Sequence, residues 1–455
     1  YRRTFPDRAR AARLLMPGHQ LVDTASSGDE EQAHVDDVEE IDDTAARSSV
    51  TQKVVAILKL SLPVIGQYVL QFMNFSIPFL FLGRVSPAAM GAFALSQMFV
   101  NCTSNALGYG FVTALDTIVS QAWGAKNYTS IGLAVQRSVV IMTLFCLPFV
   151  VIWNVVPGIL FPYLSVDKEV CRLAKLHCRV MISGIWPGFI YDIQKKYLAN
   201  QKITLPPVLA MIPSLILNVL LNFFFIPRYG FVVAPISICA SNWLMCVLLF
   251  GYIRWRGLHR KTWPTGGWCN SGWDVRCLRR WPEIFRLGTP GALMLVLEWG
   301  VFEVNAFLAA RLGANSLATH SVLAQSAGLL FMAPLGMSVA VATLVGNSLG
   351  GGDAKGAKAY CYIGLCIGIV TNTIQNAIVC FLLRDIWPML YTSDSGVRRM
   401  VSKMLIIFFF FTLPDQARAN MAGSLRGMGK QMLGTQRHSS TFLSYLASAS
   451  YSLSS

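Results

Sequence analysis

Four carboxylates stand inside stretches of the chain that are otherwise almost free of charge. Glu298 and Glu303 lie in Leu297-Glu-Trp-Gly-Val-Phe-Glu303, Asp415 in Leu413-Pro-Asp415, and Asp116 in Thr113-Ala-Leu-Asp116. A carboxyl in a low-dielectric cavity can take up and release a proton. Ionised, it attracts a cation; protonated, it lets one go. That cycle is the chemistry a proton-coupled exchange requires. The spacing of Glu298 and Glu303 sets them about 140° apart on a helix, so one can face a cavity while the other packs on a neighbour. The opposing reading is structural: an acid deep in an apolar run can be held by a base or by hydrogen bonds. Arg418, one turn after Asp415, could neutralise it in this way.

Four uncharged polar residues share these surroundings: Gln71, Asn74, Asn305 and Gln325. They are candidate cavity-lining groups, and interhelical hydrogen bonds explain them equally well. Pro63 and Pro290 are read as standing at the beginning of the first helix of each half. Proline there is either a favoured starting residue or, within the span, a bend that serves gating. Catalytic motifs are lacking: the chain has no GxxxxGK[ST], HExxH or GxSxG, so neither ATP use nor hydrolysis is indicated and no enzyme activity is expected. Gly346-Asn-Ser-Leu-Gly350-Gly-Gly has the glycines of a phosphate loop without the Lys-Ser/Thr. The 11 cysteines include no CxxC pair. Cys269, Cys277 and His259 lack metal-site spacing, so buried free thiols are expected, with no metal and no cofactor.

The elements that must position the acids follow from composition. Of 455 residues 54% are hydrophobic and 13% charged, and the mean hydropathy is +0.50. A soluble chain of this size needs more charge to cover its surface, so apolar surface must face lipid. The apolar runs reach the roughly 20 residues of a spanning helix. Ten spans are predicted, near 54–82, 90–120, 132–157, 171–193, 205–226, 232–253, 287–309, 317–345, 359–383 and 404–424. A membrane β-barrel would show short alternating segments instead.

The net charge of +15 does not indicate nucleic-acid binding, because the basic residues sit in links between apolar runs. Links after even-numbered spans carry Lys126; Lys195, Lys196 and Lys202; the arginines of 254–286; and Lys355 and Lys358. Links after odd-numbered spans are poorer, 384–403 excepted. This bias predicts a cytoplasmic N-terminus and a cytoplasmic 254–286 link. That link also holds five tryptophans among its arginines, which suits either a surface-lying helix or an ordinary linker. Residues 1–50 read as a disordered cytoplasmic tail.

A shift of roughly 227 residues brings landmarks into coincidence. Pro63 falls on Pro290, Gln71 on Glu298, Gln121-Ala-Trp-Gly124 on Asn347-Ser-Leu-Gly350, and Leu198-Ala-Asn-Gln-Lys202 on Leu425-Arg-Gly-Met-Gly429. An even number of spans per repeat makes the halves parallel, with a cavity between them near the bilayer midplane. The domains expected are therefore 51–253 as a six-helix lobe, 254–286 as a basic Trp-rich linker, and 287–434 as a second lobe with about four helices. A Ser-rich tail, 435–455, follows. Two helices that the repeat calls for after Gly429 are not in the sequence; a truncated or frame-shifted gene model is the expected explanation.

These motifs resemble the multidrug and toxin extrusion (MATE) family, particularly its eukaryotic branch. The similarity rests on Thr113-Ala-Leu-Asp-Thr-Ile-Val-Ser-Gln-Ala-Trp-Gly-Ala125, Leu297-Glu-Trp-Gly-Val-Phe-Glu303, Val345-Gly-Asn-Ser-Leu-Gly-Gly-Gly352 and the segment from Asp415 to Gln431. It implies twelve helices in two six-helix lobes. It also implies proton- or sodium-driven export of organic cations, drugs or secondary metabolites, with protons usual in this branch. Family roles would fall on Glu298, Glu303 and Asp415. Departures occur at Gly300, where a second Trp is frequent, at Arg418, where Gln is frequent, and at Gly83-Arg-Val-Ser86.

The leading expectation is an antiporter of small organic solutes and protons, acting as a monomer in the plasma membrane or a vacuolar or other endomembrane. A lipid or lipid-linked-sugar flippase, whose cavity should be more cationic, and a non-transporting paralogue or receptor are the alternatives. Topology has its own check. Asn127-Tyr-Thr129 is a glycosylation sequon placed in the cytoplasm. Glycosidase treatment of protein expressed in a eukaryotic host should leave its mobility unchanged; a glycan on Asn127 would reverse the orientation.

Overall fold

The computed structural model describes residues 49–432 apart from 84, 164–166, 264–272, 312–313 and 393. The expected N-terminal tail, the Ser-rich C-terminal tail and much of the Trp-rich link lie outside the described residues, as do the side chains of Glu298 and Glu303. Everything below concerns the unit that begins at Ser48.

Helices make up the described structure, with no strand among the described residues. The first half contains α1 (Val50–Leu82), α2 (Pro87–Val100), α3 (Ala106–Val112), α4 (Ala114–Gly124), α5 (Tyr128–Tyr163), α6 (Lys168–Ala199), α7 (Leu205–Tyr229) and α8 (Val233–Trp255). A π-turn, Asn101–Asn105, joins α2 to α3, so α2 through α4 form one span interrupted twice. The second half contains α9 (Trp281–Arg311), α10 (Ala314–Gly350), α11 (Ala354–Ala377) and α12 (Ser395–Gly427). Each of the ten expected spans falls on one of these runs.

Helix is the open-chain form that satisfies every backbone group within one segment, which hydrocarbon demands. Side chains close the exposed N-termini. Ser49 and Gln52 form a reciprocal capping box on α1, and Asp167, Asp353 and Asp394 accept backbone N–H groups at the starts of α6, α11 and α12. Outside the helices, Arg276 donates to Asp274 through its backbone N–H and its guanidinium, holding that carboxyl below the usual carboxylate range. Five runs are apolar enough to cross a membrane by length and composition alone, one of them, Leu205–Trp255, holding both α7 and α8. The span α2 to α4, broken into short pieces, and α6, α9 and α12 fall outside that set. Phe223, Phe224, Phe250, Leu147 and Phe410 are the corresponding exposed apolar residues on outward faces.

Two sequence readings need correction. Pro63 and Pro290 do not begin helices; both lie well inside, in α1 and α9. Each lobe's first helix extends into polar flanking sequence, which hydropathy alone cuts short. Lys195 and Lys196 are not link residues. They belong to the last turns of α6, are buried, and face acids within the protein.

The repeat holds down to individual hydrogen bonds. After α4, Lys126 adopts φ 56°, and the amides of Ala125, Lys126 and Asn127 donate to the carbonyls of Gln121, Trp123 and Ala122. After α10, Gly352 adopts φ 83°, and Gly351, Gly352 and Asp353 donate to Asn347, Leu349 and Ser348 in the same pattern. The turns after α6 and α12 match likewise, with Lys202 at φ 65° and Gly429 at φ 70°. Glycine adopts this left-handed region without strain, whereas a lysine there bears a local cost.

The halves cross most closely where side chains are smallest. A Cβ on Gly124 would stand 2.0 Å from the carbonyl oxygen of Asn347, and one on Gly350 would stand 2.0 Å from that of Gln121. Gly110 meets Ala292, and its repeat counterpart Gly336 meets Ile65, the counterpart of Ala292. These contacts are reciprocal, as an axis along the membrane normal requires. Small residues at such crossings let backbones approach. Gly124→Val and Gly350→Val should each destabilise the protein by about 1–3 kcal/mol. Gly66→Ala, whose added carbon meets nothing within 4 Å, should be neutral or stabilise by about 0.5–1 kcal/mol. Thermal unfolding of purified variants in detergent would check both.

Candidate functional site

The close crossings carry a polar seam. Asp116, in the first turn of α4, is fully buried. Its Oδ2 receives the Lys196 ammonium of α6 at 2.8 Å and lies 3.3 Å from the Arg426 Nε of α12. Arg426 also donates to the Ser338 hydroxyl of α10 at 2.6 Å. One carboxylate therefore has a cation from its own lobe and another from the opposite lobe.

Hydrogen bonds flank this group on both sides. Thr117 donates to the Arg426 carbonyl, and Gln121 to the Gly427 carbonyl at 2.9 Å. Thr343, the repeat counterpart of Thr117, donates to the Asn200 side chain at 3.1 Å. Asn200 in turn donates to the Leu115 carbonyl at 3.2 Å. Thr117 and Gln121 thereby reach carbonyls at the end of α12, where a buried helix terminus needs donors. Together these contacts close the two lobes at the end that carries the turns after α4 and α10.

The first lobe contains a second polar group. Asp192 and Lys195 of α6 pair at 2.6 Å. Lys195 donates to Gln71 at 3.2 Å, and Gln71 donates to the Tyr109 hydroxyl at 3.3 Å. The Tyr109 ring meets Trp299 of α9 edge-on, with centroids 6.1 Å apart, so this chain of contacts reaches the opposite lobe beside Glu298 in sequence. Nearby, Asn74 accepts two bonds from Asn218, and Asn222 donates to Asn218 and to Ser237. These amides knit α1, α7 and α8 and carry no charge. A cavity of about 30 Å³ lies among them, lined in part by Gln71, Asn74, Tyr109 and Asp192.

In the second lobe, Asp415 accepts two bonds from Arg418, at 3.0 and 2.8 Å, and both side chains are partly exposed. Gln416 of α12 accepts from Asn376 of α11 at 2.6 Å. Asn305 is half-buried on α9 and Gln325 is exposed on α10. Glu298 and Glu303 take their places along α9 without described side chains. Of the residues singled out in the sequence, the structure thus joins Gln71 to the Asp192 group, Asn74 to an amide network, and Asp415 to Arg418. Among the described residues no cluster of His, Cys, Asp and Glu is arranged to hold a metal.

Asp192 and its lysines are functional candidates that the hydropathy reading passed over. The pattern Asp192-Ile-Gln-Lys195-Lys196 carried the signal, because acid and base three apart meet on one helix face.

A profile of the family MatE matches residues 63–224 and 290–443, so its two matched stretches begin at the paired prolines of the repeat. The chain is 32% identical over 389 residues to multidrug and toxin extrusion protein 1 of Danio rerio, covering 84% of this chain and 64% of that protein. The protein of the same name from Homo sapiens is 30% identical over 392 residues, covering 85% and 67%. The chain thus spans about two thirds of the length of these relatives. Among solved structures, the eukaryotic MATE transporter AtDTX14 superimposes with a TM-score of 0.79 at 24% identity, over 86% of each chain. A MOP-superfamily transporter from Pyrococcus furiosus gives 0.74 at 17%, over 87% of this chain and 86% of its own.

Removing the charge of Asp116 leaves two cations facing a neutral amide. Asp116→Asn should cost about 3–5 kcal/mol, as for breaking one side of a buried pair. Arg426→Met, which spares the Lys196 pair, should cost less. Thermal unfolding of both variants, completed as a double-mutant cycle, would measure the coupling between the lobes.

Proposed function

The chain belongs to the MatE family, the multidrug and toxin extrusion transporters, and from that premise we propose that it is a secondary active exporter exchanging protons for organic cations, drugs or secondary metabolites. It is an integral membrane protein of transmembrane helices. In this reading it is a transporter without enzymatic activity, working as a monomer in the plasma membrane or a vacuolar or other endomembrane, with its N-terminus in the cytoplasm. Residues 51–253 and 287–434 form its two lobes.

The observation that carries the reading is the placement of acids on the second lobe. Asp415 on α12 is partly exposed, and Glu298 and Glu303 occupy α9, the helix that faces Tyr109 across the seam. A partly exposed carboxylate within a spanning helix, as Asp415 is, can trade a proton for a cation. Arg418 gives Asp415 an internal counter-ion, so an incoming cation would compete with it for the carboxylate. Protonation of the acids would then release the cargo, coupling export to proton entry. The flippase alternative calls for cations able to meet phosphate. Lys195, Lys196, Arg418 and Arg426 are each paired with a carboxylate instead.

The test is exchange by the full-length protein in proteoliposomes with an imposed pH gradient, using tetraethylammonium as the probe. Exchange should follow the gradient. Glu298→Gln combined with Glu303→Gln should lower the initial rate at least about tenfold, about 1.4 kcal/mol at the barrier. Movement indifferent to the gradient, or an unchanged rate in the double variant, would refute the proposal.

A further inference from the structure

The ammonium of Lys195 is held by more groups than an ion pair needs. Asp192 lies 2.6 Å away and the Gln71 side-chain oxygen 3.2 Å. The ring centroid of Tyr68 is 4.7 Å from the same nitrogen and that of Tyr191 5.7 Å. A carboxylate, an amide oxygen and two aromatic faces are what an alkylammonium seeks from a binding pocket. Asp192 and Lys195 are only 3% and 6% exposed, so these contacts act with little competition from water.

The fold does not require this pair. In the second lobe, the repeat places Ala419 where the first has Asp192, and Ala422 where it has Lys195. Helix α12 packs in its lobe without either charge, and a buried pair is in general no more stabilising than apolar residues of similar volume. Gln71 occupies the repeat position of Glu298. The lysine ammonium thus sits, in the first lobe, at the register where the second lobe carries an acid proposed to meet cargo. A cavity of about 30 Å³, lined in part by Gln71, Tyr191 and Asp192, leaves room for water beside the site.

We propose that the first lobe contains a primary-ammonium site formed by Asp192, Gln71 and the faces of Tyr68 and Tyr191, and that Lys195 is its tethered occupant. A free alkylammonium enters only by displacing Lys195 from Asp192. Lys195 therefore decides which cations the first lobe admits and leaves the second lobe as the principal cargo side. That last step rests on the transport reading above; the site itself does not.

The experiment uses the full-length protein in detergent and n-propylammonium, the fragment that Lys195→Ala deletes. Propylammonium should bind Lys195→Ala at least tenfold more tightly than the wild type and raise its unfolding temperature selectively. The neutral isostere n-butane should have no such effect. Adding Asp192→Asn should abolish the gain. If Lys195→Ala does not fold alone, recovery of folded protein when propylammonium is present during purification supports the site equally. Equal binding to Lys195→Ala and wild type, a gain that survives Asp192→Asn, or failure of propylammonium to rescue folding would overturn it. None of these readouts involves a pH gradient or flux, so they stand apart from the exchange assay.

Discussion

A carboxylate that no solvent reaches must find its counter-charge within the protein, and Asp116 is where this constraint governs the molecule. In hydrocarbon surroundings the cost of leaving it unpaired is several kcal/mol. Lys196 and Arg426 converge on one of its oxygens from different lobes. Arg426 reaches it where α4, α10 and the end of α12 approach at glycine: Gly124 and Gly350 at the α4–α10 crossing, Gly346 against Ser120, and Gly427 against Val345. The small residues bring the backbones together, and the charges then fix which surfaces face each other. Neither serves alone. A close crossing without the charges could slide, and the charges without the crossing would stand too far apart to pair.

Repetition shaped the backbone and left the side chains free to diverge. The turns after α4 and α10 share their hydrogen bonds, and Thr117 and Thr343 each donate into the opposite lobe, to the Arg426 carbonyl and the Asn200 side chain. Around this common frame the lobes differ in how they hold charge. The first buries an internal ion pair, Asp192 with Lys195, beside hydrogen-bonded amides at Asn74, Asn218 and Asn222. The second keeps Asp415 and Arg418 partly exposed. Buried, hydrogen-bonded groups rigidify a lobe, whereas partly exposed ones remain available to a ligand.

Much of this was legible in the sequence, because its signals were long or repeated. Ten apolar runs of spanning length give ten helical runs, and the constant offset gives a parallel repeat whose glycines meet at the crossings. Charges inside helices were harder. A hydropathy profile ends a span where lysines begin, so Lys195 and Lys196 read as a link, although Asp192 three residues earlier marks a helix face. Asp116 stood out as an acid in an apolar run, but its partners come from α6 and α12, which no local pattern connects to α4. Pro63 and Pro290 read as helix starts from proline's preference for a first turn, whereas α1 and α9 begin well before them.

The pairing at Asp116 also bears on how two lobes could part at this end. Opening must break the contacts of Arg426 and the bridges from Thr117, Gln121 and Thr343. Each neutral bridge contributes about 0.5–1.5 kcal/mol net, an amount that water entering the gap largely restores. The carboxylate is the expensive member, since parting would leave it facing a gap. Lys196 removes that obstacle, for it belongs to the same lobe as Asp116 and travels with it. Arg426, when withdrawn, retains Ser338 of its own lobe as an acceptor. Separation therefore leaves the carboxylate with its ion pair to Lys196 and the Arg426 guanidinium with a neutral hydroxyl partner, so the charge that opening hands to water is the arginine's. A carboxylate with one internal and one external cation lets this interface be both closed and able to open.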